Sequence, residues 1–296
     1  MRRGSAPGRK LAGAGLATAA AAAALLLLGA GRGGAAASEG THRAEIGEAR
    51  RGSVTIKIAP AVDVAVSGGM AAGRPIVVID PGHGGRDPGA VSVSGEVAEK
   101  QLTLALAREL RDRLVERGRV RVALTRDSDR YLSLEERAGV ARGLGASLFL
   151  SLHMDSAPNP LARGASVYSL SDVASDAEAA RFAAAENAGG AAGATDGSVR
   201  SMLSDLALRS LMSASADLAS RLVRKSAARV EMRPEPHRFA TFHVLRRAEA
   251  PAVLFEAGYV SNADDELLLR SPEHRAALVA GLAETIEADV AARTRR

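Results

Sequence analysis

The sequence has no cysteine, and only 3% of its 296 residues are aromatic. The first absence excludes disulfides and thiol chemistry. The second leaves Leu, Val, Ile and Ala to fill the interior. At 47% hydrophobic residues the chain is too apolar to be mostly disordered. Basic residues are also scarcer in the body of the chain than the formal net charge of +5 suggests. Residues 1–37 contain Arg2, Arg3, Arg9, Lys10 and Arg32 and no acid, and these account for the whole excess. Residues 38–296 are formally neutral, with no basic stripe of the kind that binds nucleic acid. No internal repeat stands out.

What the N-terminal segment does have is the three parts of a secretory signal. Met1–Lys10 is positive, Leu11–Gly29 is a long apolar run, and Ala35-Ala36-Ala37 offers a small-residue cleavage site before Ser38. The alternative is an uncleaved anchor, since the run approaches the ~20 residues that span a bilayer. Arg2-Arg3 lacks the hydrophobic residues that follow a twin-arginine pair. Both readings place the protein outside the cytoplasm, in the periplasm or cell envelope. Residues 38–73 read as a linker, with a short apolar stretch at Val54–Val66 and then Gly68, Gly69 and Gly73.

From Arg74 onward, strand and helix patterns alternate. Ile76–Ile79, Val120–Leu124, Leu148–Leu152, Ala165–Leu170 and Ala252–Phe255 are short apolar runs that suit buried strands. Glu99–Arg117 carries apolar residues on one helical face and stops at Gly118. Ser133 with Glu136 forms a capping box for a helix through Arg142. Leu267–Leu269 and Ala276–Val290 read as closing helices. The alternation predicts one α/β domain over residues 74–296, a mostly parallel twisted sheet sandwiched by helices. Residues 176–230 break the rhythm, being helical on both sides of a polar gap at Gly189–Ser198.

The densest chemical signal is Asp80-Pro81-Gly82-His83-Gly84-Gly85, directly after a strand. In open α/β sheets reactive groups gather at strand carboxyl ends. The spacing fails the dinucleotide fingerprint, because the sixth position from Gly82 is Asp87. A second His, His153, follows the strand Leu148–Leu152. Between the two lie Glu99, at a helix start, and Glu96, which offers the same chemistry three residues earlier. Two His and one carboxylate form a common catalytic zinc shell that leaves one position for water, whose pKa the metal lowers toward ~7. Glu256, at the end of Ala252–Phe255, suits the carboxylate that takes the water's proton and passes it to a leaving nitrogen.

These pieces occur in a specific order. Ile79-Asp80-Pro81-Gly82-His83-Gly84-Gly85 is followed by Asp87-Pro88-Gly89-Ala90, Glu99-Lys100, Thr125-Arg126-Asp127 and Leu134-Glu135-Glu136-Arg137. Ser151-Leu152-His153, Phe255-Glu256-Ala257-Gly258-Tyr259 and Ser261-Asn262 complete the set. From about Pro75 to about Ala292 the chain resembles the zinc-dependent amidase-3 family of N-acetylmuramoyl-L-alanine amidases. The resemblance implies His83, Glu99 and His153 as metal ligands, Glu99 in preference to Glu96, with Glu256 as the catalytic acid and base. It implies hydrolysis of the amide between N-acetylmuramic acid and the first L-alanine of the peptidoglycan stem. The chain departs from the family pattern at Met154, where small residues are usual, and at Ala257, usually Thr or Leu. Rival readings are another zinc peptidase acting on stem peptides and a non-catalytic peptidoglycan-binding protein.

The helical insert at 176–230 resembles that of the division amidases. There a helix lies over the zinc and an acid from it blocks the open position until a LytM-type activator displaces it. Glu178 and Glu186 are both candidates for that acid. His237 and His243 read as structural. The expected partners are peptidoglycan and such an activator, for an enzyme that is otherwise a monomer.

Overall fold

The structure, a computed structural model, describes residues 63–68, 73–188 and 199–294. The signal segment, most of the 38–73 linker and the Gly189–Ser198 gap lie outside the described residues. In chain order the elements are β1 (Val66–Ser67), β2 (Ile76–Pro81), α1 (Glu99–Arg117), β3 (Arg121–Leu124) and α2 (Leu134–Gly143). Then come β4 (Leu148–Asp155), β5 (Ala165–Leu170), α3 (Ala177–Asn187), α4 (Val199–Ser226) and β6 (Met232–Ala240). The chain closes with α5 (His243–Arg246), β7 (Ala252–Tyr259), α6 (Ala263–Arg270) and α7 (Pro272–Thr294).

The strands form one seven-stranded sheet in the order β1-β3-β2-β4-β7-β5-β6. β3, β2, β4 and β7 run parallel, as the strand–helix alternation predicts. β5 and β6 are parallel to each other but antiparallel to β7, and β1, within the expected linker, pairs antiparallel with β3. Alternate side chains enter opposite cores. Val77, Ile79, Leu150, Leu152, Val253 and Phe255 pack with α1 and α7, while Val78, Phe149, Tyr168 and Leu254 pack with α2, α3 and α5. Both faces are therefore covered, which is why the central strands read as unbroken apolar runs.

The sequence boundaries need correction at several elements: β2 runs on to Pro81, and the two closing helices are longer than expected. β4 and β7 extend to Asp155 and Tyr259 because they continue to pair with one another beyond the apolar runs. His153 and Glu256 are thus inside strands, directly partnered across the ladder, and not just past strand ends. β6 was invisible in the sequence because Pro234 and Pro236 lie in it. Proline is tolerated there because β6 is the outermost strand.

Candidate active site

β2, β4 and β7 are parallel neighbours, so their carboxyl ends share one edge of the sheet. The first site residue, His83, sits just beyond β2 in a sharp turn. Its φ of 59° is left-handed, a conformation that costs a non-glycine residue about 1–2 kcal/mol. Buried arginines offset that strain by gathering the turn's carbonyls. Arg137 donates to the oxygens of Pro81 (2.7 Å) and His83 (2.6 Å), and Arg126 to those of Pro81 (3.0 Å) and Gly82 (2.7 Å). Arg137 is itself neutralised by Asp80 at 2.8 Å, buried under the turn. The sequence showed these three residues only as motif letters. Their role follows from a tertiary fact, the packing of α2 beneath the β2 loop.

The two imidazoles meet edge to face, with ring centroids 4.9 Å apart. Oε1 of Glu99 lies 3.1 Å from Nε2 of His83 and 3.1 Å from Nδ1 of His153. The other Glu99 contacts fix it in place: the backbone N–H groups of Ala90 and Met154 donate to its carboxylate at 2.9 and 3.0 Å. Asp87 meets Nδ1 of His83 at 3.0 Å and so orients that ring. Two glycines leave the necessary room. A Cβ at Gly82 would lie 2.4 Å from Cε1 of His153, and one at Gly89 would lie 2.5 Å from Oε2 of Glu99.

A fourth donor comes from α3. Glu186 places Oε1 3.9 Å from Nε2 of His83 and Oε2 3.5 Å from Nδ1 of His153. Asn187 holds the end of α3 in place, donating to the Thr241 carbonyl at 2.6 Å and accepting the His243 N–H at 2.8 Å. The structure does not bring Glu178 to the imidazoles, because Arg233 and Arg238 hold it elsewhere. Glu96 is likewise apart, on the surface against Arg270. His237 meets the Ser169 hydroxyl at 2.9 Å, on β5.

The donor set fits a divalent metal. Tetrahedral bonds of 2.0–2.1 Å put neighbouring ligand atoms about 3.3 Å apart, close to the separations here. Nε2 of His83 is buried and faces the carboxylates of Glu99 and Glu186. Charge points the same way. Burial works to lower the pKa of His83, but the hydrogen bond and charge of Glu99, with Glu186 and Asp87, raise it to about 10. Burial works to raise the pKa of Glu99, yet hydrogen bonds to His153 and His83 bring it below the usual carboxylate range. The carboxylates thus demand positive charge between them, which a cation supplies with both imidazoles neutral. Burial, reinforced by Glu99 and Asp87, raises Glu186.

Glu256 is different. It is fully buried, and neither carboxylate oxygen has a hydrogen-bond partner. Burial raises its pKa well above the usual value, and the charges of Asp155, Glu99 and Glu186 raise it further. A carboxylate of high proton affinity beside the imidazole–carboxylate cluster is equipped to accept and return a proton.

The chain is similar to known cell-wall amidases. Residues 77–288 match the family model described as N-acetylmuramoyl-L-alanine amidase. The chain is 33% identical to N-acetylmuramoyl-L-alanine amidase AmiA of Escherichia coli strain K12, over 72% of this chain and 75% of that protein. It is 31% identical to amidase AmiC of Neisseria meningitidis serogroup B, over 72% of this chain and 52% of that longer protein. Among solved structures, the catalytic domain of the amidase CwlV from Bacillus (Paenibacillus) polymyxa var. colistinus superposes with a TM-score of 0.53. It is 27% identical, and the match covers 72% of this chain and 96% of that one. Amidase AmiC2 of Nostoc punctiforme gives a TM-score of 0.56 at 25% identity, covering 76% of this chain and all (100%) of that one.

Proposed function

The chain belongs to the amidase-3 family of N-acetylmuramoyl-L-alanine amidases, enzymes acting on peptidoglycan, and on that premise we propose that it is zinc-dependent, exported and held inactive at rest. The observation that carries this reading is one cluster: His83, Glu99 and His153 converge within hydrogen-bond distance, with Glu256 the ladder partner of His153.

In this mechanism His83, Glu99 and His153 would hold the metal, and Asp87 keeps the His83 ring oriented. Zinc, when bound, supplies a Lewis acid that eases water deprotonation and polarises the scissile carbonyl. The Glu256 carboxylate takes the proton of the attacking water on an oxygen that has no competing donor. It then delivers that proton to the departing alanine nitrogen. The surrounding apolar strands exclude bulk water, so the proton stays between Glu256 and the substrate.

Glu186 reaches the same two imidazoles from α3 and would take the coordination position that the reaction needs. Docked α3 therefore blocks the site, and we assign its displacement to a LytM-type activator, consistent with a role in splitting the septum during cell separation. Residues 1–37 supply the export signal or anchor. Among the described residues no helix is long and apolar enough to cross a membrane.

The test is product analysis with zinc-loaded protein on purified muropeptides. The reading requires intact stem peptide with a free N-terminal L-alanine. Cleavage inside the stem would instead identify a peptidase on this scaffold.

A further inference from the structure

A second cavity, of about 1100 Å³, is lined by Glu178, Arg181, Phe182 and Ala185 of α3, and Ala185 also lines the imidazole cleft. Its walls include Asp155 and Tyr259, which follow His153 and Glu256 on their strands, and Arg233 near the start of β6. β5 and β6 reach this edge by their amino ends because they oppose β7: Ser166 partners Glu256, and Ala165 partners Met232. Ligand pockets run to about 300–1,000 Å³, so the cavity can take a peptide segment. Tyr259 follows Glu256 across a register shift in the ladder, opposite Asp155, which is two residues beyond His153; at about 3.3 Å per residue this sets it roughly 7 Å beyond Glu256, the span of about two extended residues.

Arg233 is held from the sheet side. Its Nη1 donates to the phenol oxygen of the buried Tyr259 at 2.5 Å. Tyr259 is in turn hydrogen-bonded to Asp155. The outward side of the guanidinium forks onto the Glu178 carboxylate, Nη1 at 3.3 Å and Nη2 at 3.2 Å. This two-pronged grip is what arginine uses to recognise carboxylates. The Arg233 side chain is only 17% exposed, whereas that of Glu178 is 42% exposed. The receptor therefore belongs to the sheet, and the anion it holds belongs to α3, the helix that also carries Glu186. Arg238 follows the same pattern, pairing with Glu178 and with Asp176 at the cap of α3. When α3 leaves, it strips anions from both cations, and a largely buried arginine without its anion is costly.

We propose that Arg233 binds a free carboxylate on the peptide part of the substrate, two to three residues from the scissile amide, and that Glu178 occupies its place while α3 is docked. α3 then acts as an internal substrate mimic at two points, Glu186 at the reacting centre and Glu178 at the peptide-binding arginine. This assignment rests on the amidase reading above.

Two stem-peptide probes test it, identical except that the residue after L-alanine carries a free carboxylate or a carboxamide. They are titrated calorimetrically into the full chain and into its Glu178→Gln and Arg233→Gln variants. The Glu178→Gln protein binds the acid probe about tenfold more tightly than the amide probe, the effect of one charge-assisted pair, and more tightly than the wild type does. Arg233→Gln removes the preference. If it folds poorly, Arg233→Lys keeps the charge, loses the fork and reduces the preference. On the matching muramoyl substrates the discrimination appears in KM, with kcat little changed. Equal binding of the two probes by the Glu178→Gln protein, or a preference that survives Arg233→Gln, overturns the assignment. A binding preference without hydrolysis of either muramoyl substrate by zinc-loaded protein that also carries Glu186→Ala would leave Arg233 as a carboxylate receptor and overturn the amidase reading.

Discussion

Oε2 of Glu186 lies 3.5 Å from Nδ1 of His153, although 33 residues and a change of structural layer separate them. The two carboxylates at the imidazoles are not equivalent. Glu99 is secured by two backbone N–H groups and by both rings, and its pKa is depressed. Glu186 is offered by a helix packed over the site, and burial pushes its pKa up. Of the two, Glu186 is the one that can leave at low cost.

Glu186→Ala should therefore raise hydrolysis of dye-labelled peptidoglycan in the absence of any activator. The expected rise is on the order of tenfold, within the usual range of a regulatory coupling. Asn187→Ala should act in the same direction more weakly, since Asn187 only holds the helix end to Thr241 and His243. Unchanged basal rates in both variants would remove Glu186 from a blocking role.

Glu256→Gln separates chemistry from stability. Turnover should fall by about 10²–10⁴-fold, the worth of a positioned acid–base group. Zinc content should stay at the wild-type level. The variant should also melt at the same temperature or higher, because it replaces a buried carboxyl with two unpartnered oxygens by a neutral isostere. For a chain of this size each kcal/mol gained is about 2–4 °C. A marked loss of Tm would show that Glu256 is a structural anchor.

Glu99 and Glu96 should behave oppositely although three residues apart. Glu99→Gln should lower bound zinc, measured by elemental analysis of the purified protein, and abolish activity. Glu96→Gln removes only a surface contact with Arg270 and should shift stability by less than about 0.5 kcal/mol, with zinc retained. Equal zinc loading of the two variants would refute the assignment of Glu99.

The Asp80–Arg137 pair predicts acid sensitivity. Burial works to raise the pKa of Asp80, but the Arg137 charge and hydrogen bonds from Thr125, Arg137 and Ser151 lower it below its ordinary 3.8. The folded protein thus binds this proton less readily than the unfolded chain. The pair's stabilisation is complete above about pH 4 and is lost as pH falls through the folded value. Asp80→Asn should cost about 3–5 kcal/mol at neutral pH, because Arg137 would be left buried and unpaired. It should also flatten the dependence of the urea midpoint below pH 4. Parallel acid profiles for the two proteins would contradict this account.

By itself the sequence determined the α/β alternation, the capping box at Ser133, the helix over Glu99–Arg117, and the identity of His83, His153 and Glu256 as residues of interest. Those features are local: periodicity, capping and an apolar run leading into a polar residue are written in neighbouring positions. Strand ends were less legible, because β4 and β7 are prolonged by pairing with each other and not by their own composition. β6 could not be read at all, since its two prolines are acceptable only at a sheet edge, and edge position is a property of the assembled sheet. Only the tertiary structure separated Glu99 from Glu96 by geometry, and Glu186 from Glu178. In each case two like carboxylates on nearby turns have equal chemistry in the sequence. Which one faces the imidazoles and which one faces an arginine depends on how the helix lies against the sheet, a relation set by side chains far away in the chain.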